Sequence, residues 1–364
     1  MLNNKTVAVV VPAYNEESQI GIVIETMPDF VDRIIVVNDN STDSTADIVK
    51  KYINSKYNQT SIKLATKKIT RTFHNEADIE LLKNNNKELE LFPKSEIINI
   101  NPETDRIILI NNLVNTGVGG SIARGYKWCK DNNVDCTAVM AGDAQMDPDE
   151  LDSICLPVIN EGIDYIKGNR LIHGSSRFYI PKTRFIGNSI LSILTKVASG
   201  YWRISDTQSG YTAISLSALN SIKIHKIYKG YGMPNDMLVK LNIAYCTIRE
   251  VPIKPVYRIG EKSKMKIWKV IPKISFLLFK SFFKRLWVKY FFKDFHPLFI
   301  LYNLSFILGI IWLPYLVKVL RLFFTGQNVS FETLFAFTFL GITSIQFLVF
   351  AMWMDILDNE RLYK

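Results

Sequence analysis

Ala138 to Pro148 reads AVMAGDAQMDP, and the interpretation of this stretch decides the fold. Ala138 to Ala141 is a short apolar run with the pattern of a buried strand. It breaks off into Gly142, Asp143, Gln145, Asp147 and Pro148. Open α/β sheets present ligands at the carboxyl ends of their strands, so a strand that stops in oxygen-bearing side chains marks such an edge. Two carboxylates and an amide in so short a span are hard oxygen donors, suited to Mg²⁺ or Mn²⁺ carrying a phosphate. Asp147-Pro148 is also a good helix start, with Asp as N-cap and Pro at the first helical position.

The same pattern recurs on both sides of this stretch. Thr6 to Val11 is a buried-strand run closed by Pro12, Ala13, Tyr14, Asn15 and Glu16, with the proline expected to halt the strand and Glu16 to Met27 expected as helix. Arg33 to Val37 is a second strand, ending in Asn38 to Asp43, where Ser41 or Asp43 is placed to cap a helix over Ser44 to Tyr57. Arg106 to Ile110 is a third, leading into Asn115 to Ser121 (NTGVGGS) and a helix from Ile122 to Lys130. A glycine turn opening a helix either brings backbone N–H groups against phosphate or ribose, or allows close packing of helix on sheet. It fits neither a Rossmann fingerprint nor a P-loop.

Beyond the opening stretch come a helix near Asp149 to Asn160, a strand Tyr165 to Lys167 ending in Gly168, Asn169 and Arg170, and a polar turn Ser205 to Gly210 before Tyr211 to Ile214. Tyr231, Gly232, Asn235 and Asp236 then precede a helix Met237 to Ile243, and Ile248 to Ile253 is a last strand. Strands alternating with helices predict an α/β domain with a mainly parallel sheet over residues 1–260. The Asn- and Lys-rich segment 58–105 reads as a surface insertion with a helix near Glu76 to Lys83.

The remainder of the chain has a different character. Leu298 to Val317 and Thr333 to Met354 are uncharged runs of 20 and 22 residues. At about 1.5 Å per residue, each is long enough for the roughly 30 Å hydrocarbon core of a bilayer. The net charge of +10 is concentrated just before them, since residues 254–293 hold twelve Lys and Arg against the single acid Glu261. A basic block beside membrane spans, interleaved with Trp and Phe, favours a membrane surface over nucleic acid as partner. Residues 261–296 are expected to form a basic loop and interfacial amphipathic helices: one opened by Pro272, with Lys273, Lys280 and Lys284 along one side, and a short second one from Leu286 to Phe295. Residues 297–364 then hold two transmembrane helices and a tail. The loop between the spans carries only Lys318 and Arg321 as basic residues, and the positive-inside rule places the domain and both termini in the cytoplasm. Val7 to Val11 is too short for a signal-peptide core. Cys129, Cys136, Cys155 and Cys246 show no metal-binding spacing and suit reduced thiols.

In order, the polar segments are VVVPAYNE ending at Glu16, VVNDNSTD (36–43), NTGVGGSIARG (115–125), MAGDAQMDP (140–148), GNR (168–170), SDTQSGY (205–211), EVP (250–252) and RIGEKSK (258–264). In this order, followed by two spans, they resemble the family-two inverting glycosyltransferases of GT-A fold, in particular the membrane-bound polyprenyl-phosphate sugar synthases of the dolichol-phosphate mannose synthase type. The resemblance covers nearly all of the chain outside 58–105. It implies that Pro12, Tyr14, Glu16, Asp39, Gly117, Gly142 and Asp143 line a nucleoside-diphosphate sugar, and that Asp143 and Gln145 hold Mg²⁺ or Mn²⁺ on the diphosphate. Arg170 and Arg184 match arginines that grip the phosphate of a polyprenyl-phosphate acceptor, Asn188 stands beside them where that pattern has Ser, and Arg258 and Lys264 match a mobile basic loop that closes over the phosphates. The chain departs from the pattern at Ala141, where the first Asp of a DxD is frequent, at Val118 for a frequent Lys, and at Asn40 for a frequent Gly.

The chemistry expected is in-line attack at the anomeric carbon with inversion. Leaving-group charge would be stabilised by a metal and basic side chains. A lipid monophosphate is already anionic and needs positioning. A hydroxyl acceptor, the alternative, would need a carboxylate base, for which Asp236 and Asp206 are the candidates. Sugar and nucleotide (uridine or guanosine diphosphate) stay open, and a catalytically silent membrane scaffold is the reading from outside enzymology.

Overall fold

The computed structural model describes residues 1–58, 71–176, 182–256 and 267–364, with the backbone alone for 182–186, 188 and 267–270. In chain order its strands are β1 (Val7–Ala13), β2 (Arg33–Asn38), β3 (Ser95–Ile97), β4 (Ile107–Asn112), β5 (Cys136–Val139), β6 (Tyr165–Asn169), β7 (Thr212–Ser215) and β8 (Ile248–Pro252). Between them lie helices α1 (Ile20–Glu25), α2 (Thr45–Ile53), α3 (Glu76–Glu88), α4 (Val118–Asp131), α5 (Leu151–Asn160), α6 (Lys182–Ser199), α7 (Leu216–Ser221) and α8 (Met233–Ile243). After β8 come α9 (Ile267–Trp287), α10 (Pro297–Phe324) and α11 (Phe331–Glu360).

The strands are apolar on both faces, and this sets the layering. Ala8, Val10, Ile35, Val37, Ile108 and Ile110 pack on one side with Ile122 and Tyr126 of α4 and Met237 and Leu241 of α8. The alternate residues Val7, Val9, Val11, Ile34, Val36 and Leu109 pack on the other with Ile20 and Ile24 of α1, Val49 of α2 and Leu151 and Ile154 of α5. Helices therefore cover both faces, as a sheet with two apolar sides requires. The strand order is β3-β4-β2-β1-β5-β7-β6-β8. β4, β2, β1 and β5 are parallel neighbours, β6 and β8 run the same way, and β3 and β7 are antiparallel. The sheet is thus mixed but mainly parallel.

One local expectation is corrected here, and the 58–105 segment gains its partners. Pro12 does not halt β1: it stays in register opposite Val37, and the strand continues to Ala13. The Pro12 carbonyl accepts from Gly142 N–H, so its missing N–H faces β5, which has already ended at Val139. A proline in a central strand is tolerated where no ladder bond is lost. Within 58–105, residues 59–70 lie outside the described residues, and the rest is built into the domain. β3 adds an edge strand to β4. Glu88 of α3 is buried and accepts from Lys130 of α4 and pairs with His225.

α10 and α11 form an antiparallel hairpin closed by reciprocal bonds: Ser305 Oγ to Ser344 O at 2.8 Å and Ser344 Oγ to Ser305 O at 2.9 Å. Only 11% of the most apolar window of each helix is buried, so neither is a core helix of a soluble domain. An exposed surface of Ile310, Phe323, Phe335, Phe339 and Ile345 on helices this long calls for a lipid environment. α9 buries Ile274, Leu278, Phe282 and Leu286 and exposes Phe276, Phe279 and Trp287 beside Lys273 and Lys280. That mixture suits the headgroup layer. Pro272 lies inside α9, not at its start, because the helix already runs from Ile267. The separate second interfacial helix is also corrected, since α9 passes directly into a π-helical turn, Val288–Lys293. His296 then caps α10, whose first residue is Pro297.

α4 lies against β1 through Gly125, where an added Cβ would come within 2.3 Å of Val10 Cγ1. Val10 is fully buried and stiff at χ1, so Gly125→Ala is expected to cost about 1–3 kcal/mol by overpacking. Adding Val10→Ala should recover part of that loss. Melting temperatures of the two single variants and the double variant check this, and strictly additive losses would contradict it.

Candidate active site

The parallel strands end at one edge, and a line of backbone bonds crosses it. Gly142 N–H donates to Pro12 O at 3.2 Å, and Asp39 N–H donates to Ala13 O at 2.9 Å. The Asp39 carboxylate carries the line onward. Its Oδ1 accepts from Asn112 Nδ2 at 2.9 Å and from the Thr116 N–H and hydroxyl, each at 2.8 Å, while Oδ2 accepts from Gly117 N–H at 2.8 Å. Pro12, Asp39, Gly117, Gly142 and Asp143 are thereby brought to one edge.

Glycine at 117 is required twice over. Its φ is +74°, and a Cβ there would lie 2.6 Å from the Lys229 carbonyl oxygen. At Gly119 the equivalent atom would meet the Tyr228 carbonyl at 2.0 Å, and Gly119 N–H donates to Lys229 O. The glycine turn is therefore packed against the chain's own segment before α8. Of the two meanings open for the turn, close internal packing is the one the geometry displays.

The loops after β1 and β2 are joined to each other. Asn15 N–H donates to Ser41 Oγ, Thr42 N–H to Asn15 Oδ1, and Glu16 N–H to Thr45 Oγ1, all within 3.0 Å. Asn15 and Asn40 adopt left-handed φ values of +54° and +59°. Asn tolerates that region better than other L residues with a Cβ, which accommodates Asn40 where Gly is frequent. Tyr14 is exposed beside this junction.

In the stretch after β5, Asp143 Oδ1 accepts from Gln145 N–H at 3.1 Å, and Ala144 between them has φ +57°. Asp147 caps the 3₁₀ turn Pro148–Glu150 that leads into α5, and it also pairs with Lys254 at 3.0 Å. The helix-start role expected for Asp147-Pro148 is what the geometry displays. Among the described residues, no three His, Cys, Asp or Glu side chains converge to hold a metal alone. The donor set fits a cation that binds through one carboxylate, an amide and substrate phosphate oxygens, the usual habit of Mg²⁺ at nucleotides. All four cysteines are buried and free, and burial pushes the Cys129 thiol up to about 12.

A second polar group lies at the end of β6. Arg170 makes a bidentate pair with Asp206, Nε to Oδ2 at 2.8 Å and Nη2 to Oδ1 at 3.0 Å. Glu250 of β8 organises the turn beneath by accepting from the Ser205 and Asp206 N–H groups and from Asn169 Nδ2. Burial alone would raise the Asp206 carboxyl, but the Arg170 charge and hydrogen bonds, with Lys167, hold it below its ordinary value. Burial lowers the Lys167 ammonium to about 8 despite the attraction of Asp206 and Glu250. Asp236 is also occupied: it pairs with Lys240 and accepts from Tyr228 N–H at 2.8 Å, anchoring the segment that packs on the glycine turn. Met146 connects the two polar groups, its Sδ accepting from Ala141 N–H and its methyl lying near Gly210. Asn112 and Lys167 did not stand out in the sequence, and Thr116, Asn169 and Glu250 appeared only as members of polar segments without a role. A polar residue at a strand end or a charge inside an apolar strand was the available signal. Arg184 and Asn188 lie on the backbone of α6. Arg258 and Lys264 lie outside the described residues.

Residues 8–70 match the sequence family described as Glycosyl transferase family 2. UDP-N-acetylglucosamine–dolichyl-phosphate N-acetylglucosaminyltransferase of Methanococcus voltae is 29% identical over 256 residues, 70% of this chain and 87% of that protein. An uncharacterized protein of Methanocaldococcus jannaschii is 24% identical over 257 residues, 70% of this chain and 84% of that protein. Among solved structures, glucosyl-3-phosphoglycerate synthase from Mycobacterium tuberculosis with Mn²⁺, UDP-glucose and phosphoglyceric acid superposes with a TM-score of 0.47 at 16% identity, over 78% of this chain and 80% of that one.

The Arg170–Asp206 pair sets a pH dependence. Because the folded Asp206 value is depressed, its contribution to stability is present above the ordinary carboxylate range near pH 4 and is lost as pH falls through the folded value. Asp206→Asn is expected to cost about 3 kcal/mol at neutral pH, with the gap to wild type closing in acid. Melting temperature against pH for the two proteins checks this, and a gap that does not vary with pH would contradict it.

Proposed function

We propose that this chain, a family-2 glycosyltransferase related to the polyprenyl-phosphate sugar synthases, transfers N-acetylglucosamine from its uridine diphosphate to a polyprenyl phosphate at the cytoplasmic membrane face. The observation that carries the choice of acceptor is the state of the two carboxylates suited to act as a base. Asp206 is held by Arg170 and Asp236 by Lys240, each in a buried ion pair. A hydroxyl acceptor would need one of them to take a proton, whereas a phosphate monoester is already anionic. The named activity of the Methanococcus voltae relative supports both the sugar and the lipid class.

In this reading the donor lies along the edge formed by Pro12, Tyr14, Glu16, Asp39, Gly117, Gly142 and Asp143. Asp143 and Gln145 would hold Mg²⁺ or Mn²⁺, which supplies positive charge to the diphosphate leaving group. An acceptor phosphate oxygen attacks the anomeric carbon as the bond to the diphosphate breaks. The electron pair leaves on uridine diphosphate, and the product is the inverted lipid-phosphate sugar. Asp206 occupies the Nε–Nη2 edge of Arg170 and so fixes how that guanidinium is turned. Arg170, with Arg184 and Asn188 of α6, forms the acceptor-phosphate side, and the sequence match adds Arg258 and Lys264 to it. Guanidinium groups suit this task through their paired donors.

The membrane segments bring the acceptor to this site. α10 leaves from the domain, and the chain after α11 returns to it: Ile248 N–H of β8 donates to Leu362 O at 2.8 Å, and Lys364 N–H donates to Ile248 O at 3.1 Å. The hairpin therefore enters and leaves the bilayer on the domain's side. The basic block over 254–293 supports the cytoplasmic side by the positive-inside rule.

Membranes carrying the chain, given radiolabelled UDP-N-acetylglucosamine, UDP-glucose or GDP-mannose, are expected to form a labelled lipid only from the first. Mild acid should release the label and mild base should not. Asp143→Ala should lower the yield about a hundredfold. No labelled lipid from any donor would refute the proposal, and turnover unaffected by Asp143→Ala would refute the metal role.

A further inference from the structure

Arg285 of α9 is fully buried where α6, α9 and α11 meet, and each of its five N–H donors has an acceptor. Nε donates to Ala198 O at 2.9 Å and Nη2 to Val197 O at 3.0 Å, both in the last turn of α6. Nη1 and Nη2 donate to the two oxygens of Asp355 on α11, at 2.7 and 2.8 Å, and Nη1 also reaches Tyr290 Oη at 3.3 Å. Asp355 in turn accepts from Tyr290 Oη and Asn359 Nδ2, each at 2.8 Å. The chain leaves α6 through Gly200 at φ +78°, and a Cβ there would lie 2.5 Å from Arg285 Nη1. The guanidinium thus occupies the space that any other residue's side chain would need.

A buried ion pair is a poor source of stability, because well-packed apolar residues of similar volume usually do as well or better. Its attested use is to fix one arrangement among several. Around Arg285 the contact is apolar at Leu191, Leu278, Leu286, Tyr302 and Ala351, which would tolerate a shift of one helix along another, and polar at Lys289, whose Nζ donates to Asn242 and Asn359 and ties α8 to α11 beside the pair. A guanidinium whose five donors are met by α6, α11 and the π-helical turn after α9 admits only one register. The cation also sits at the C-terminal carbonyls of α6, where the helix dipole favours it.

We infer that Arg285 and Asp355 form a register pin that sets the position of α6, the helix bearing Arg184 and Asn188, relative to the membrane hairpin. They are positioning residues for the lipid-phosphate acceptor. The inference rests on the proposed acceptor reading. The second span is thereby part of the acceptor site's geometry as well as an anchor.

The test uses the full chain in nanodiscs of phosphatidylcholine and phosphatidylglycerol. Arg285→Met combined with Asp355→Leu replaces the pair by apolar residues and leaves no unpaired charge. The expected result is an acceptor KM raised about tenfold, with kcat at saturating acceptor and uridine-diphosphate affinity retained. A folded double variant with wild-type acceptor KM overturns the inference. If the double variant fails to fold, Arg285→Lys keeps the charge but cannot reach all of these acceptors, and a wild-type KM there overturns it equally. If the wild-type chain makes no lipid-phosphate sugar, the acceptor reading has failed and the pin is judged separately. A fluorophore on Ile193→Cys, at an exposed position on α6, then reports depth by quenching from brominated lipids. A changed depth in the double variant upholds the pin, and an unchanged depth overturns it.

Discussion

The Asp39 carboxylate is the constraint on which the site depends. It is buried at the end of β2 and accepts four hydrogen bonds from Asn112, Thr116 and Gly117. An ionised carboxylate out of water is costly unless its lone pairs are satisfied, and charge-assisted bonds from backbone N–H groups do this well. The same four bonds fix the turn that opens α4. With the turn fixed, Gly117 and Gly119 can lie against the carbonyls of Lys229 and Tyr228, and Asp236 holds that segment from behind. Strand end, glycine turn and the entry to α8 form one unit.

Burial of charge recurs at each junction that matters. Arg170 with Asp206 joins the ends of β6 and β7, Lys130 with Glu88 joins α4 to α3, and Arg285 with Asp355 joins the domain to the membrane hairpin. Such pairs contribute little net stability relative to apolar packing, but breaking one leaves an uncompensated charge. They therefore specify relative position more than they strengthen the fold.

Much of this was legible in the sequence because it is local. Apolar runs ending in polar clusters gave the strands and the edge, and Asp147-Pro148 gave a helix start. Two long uncharged runs after a basic block gave the membrane helices. What was not legible depends on distant partners. Pro12 sits within a strand because β5 ends early beside it. Arg170 and Asp206 find each other across 36 residues. Gly117 and Gly119 of NTGVGGS meet carbonyls more than a hundred positions away, so of the two meanings the turn allowed, packing is the one those distant partners display. The tie between the 58–105 segment and α4 was not legible, because Glu88 is an ordinary acid until Lys130 and His225 surround it.

The central claim is that the acceptor is a phosphate that needs no deprotonation. Single-turnover transfer measured side by side with dolichyl phosphate and with dolichol, in the same vesicles and from the same nucleotide sugar, tests it most directly. The account predicts a lipid-linked sugar from dolichyl phosphate and none from dolichol. Comparable transfer to the free alcohol would contradict it, because Asp206 and Asp236, the carboxylates expected to serve as base, are both held in ion pairs.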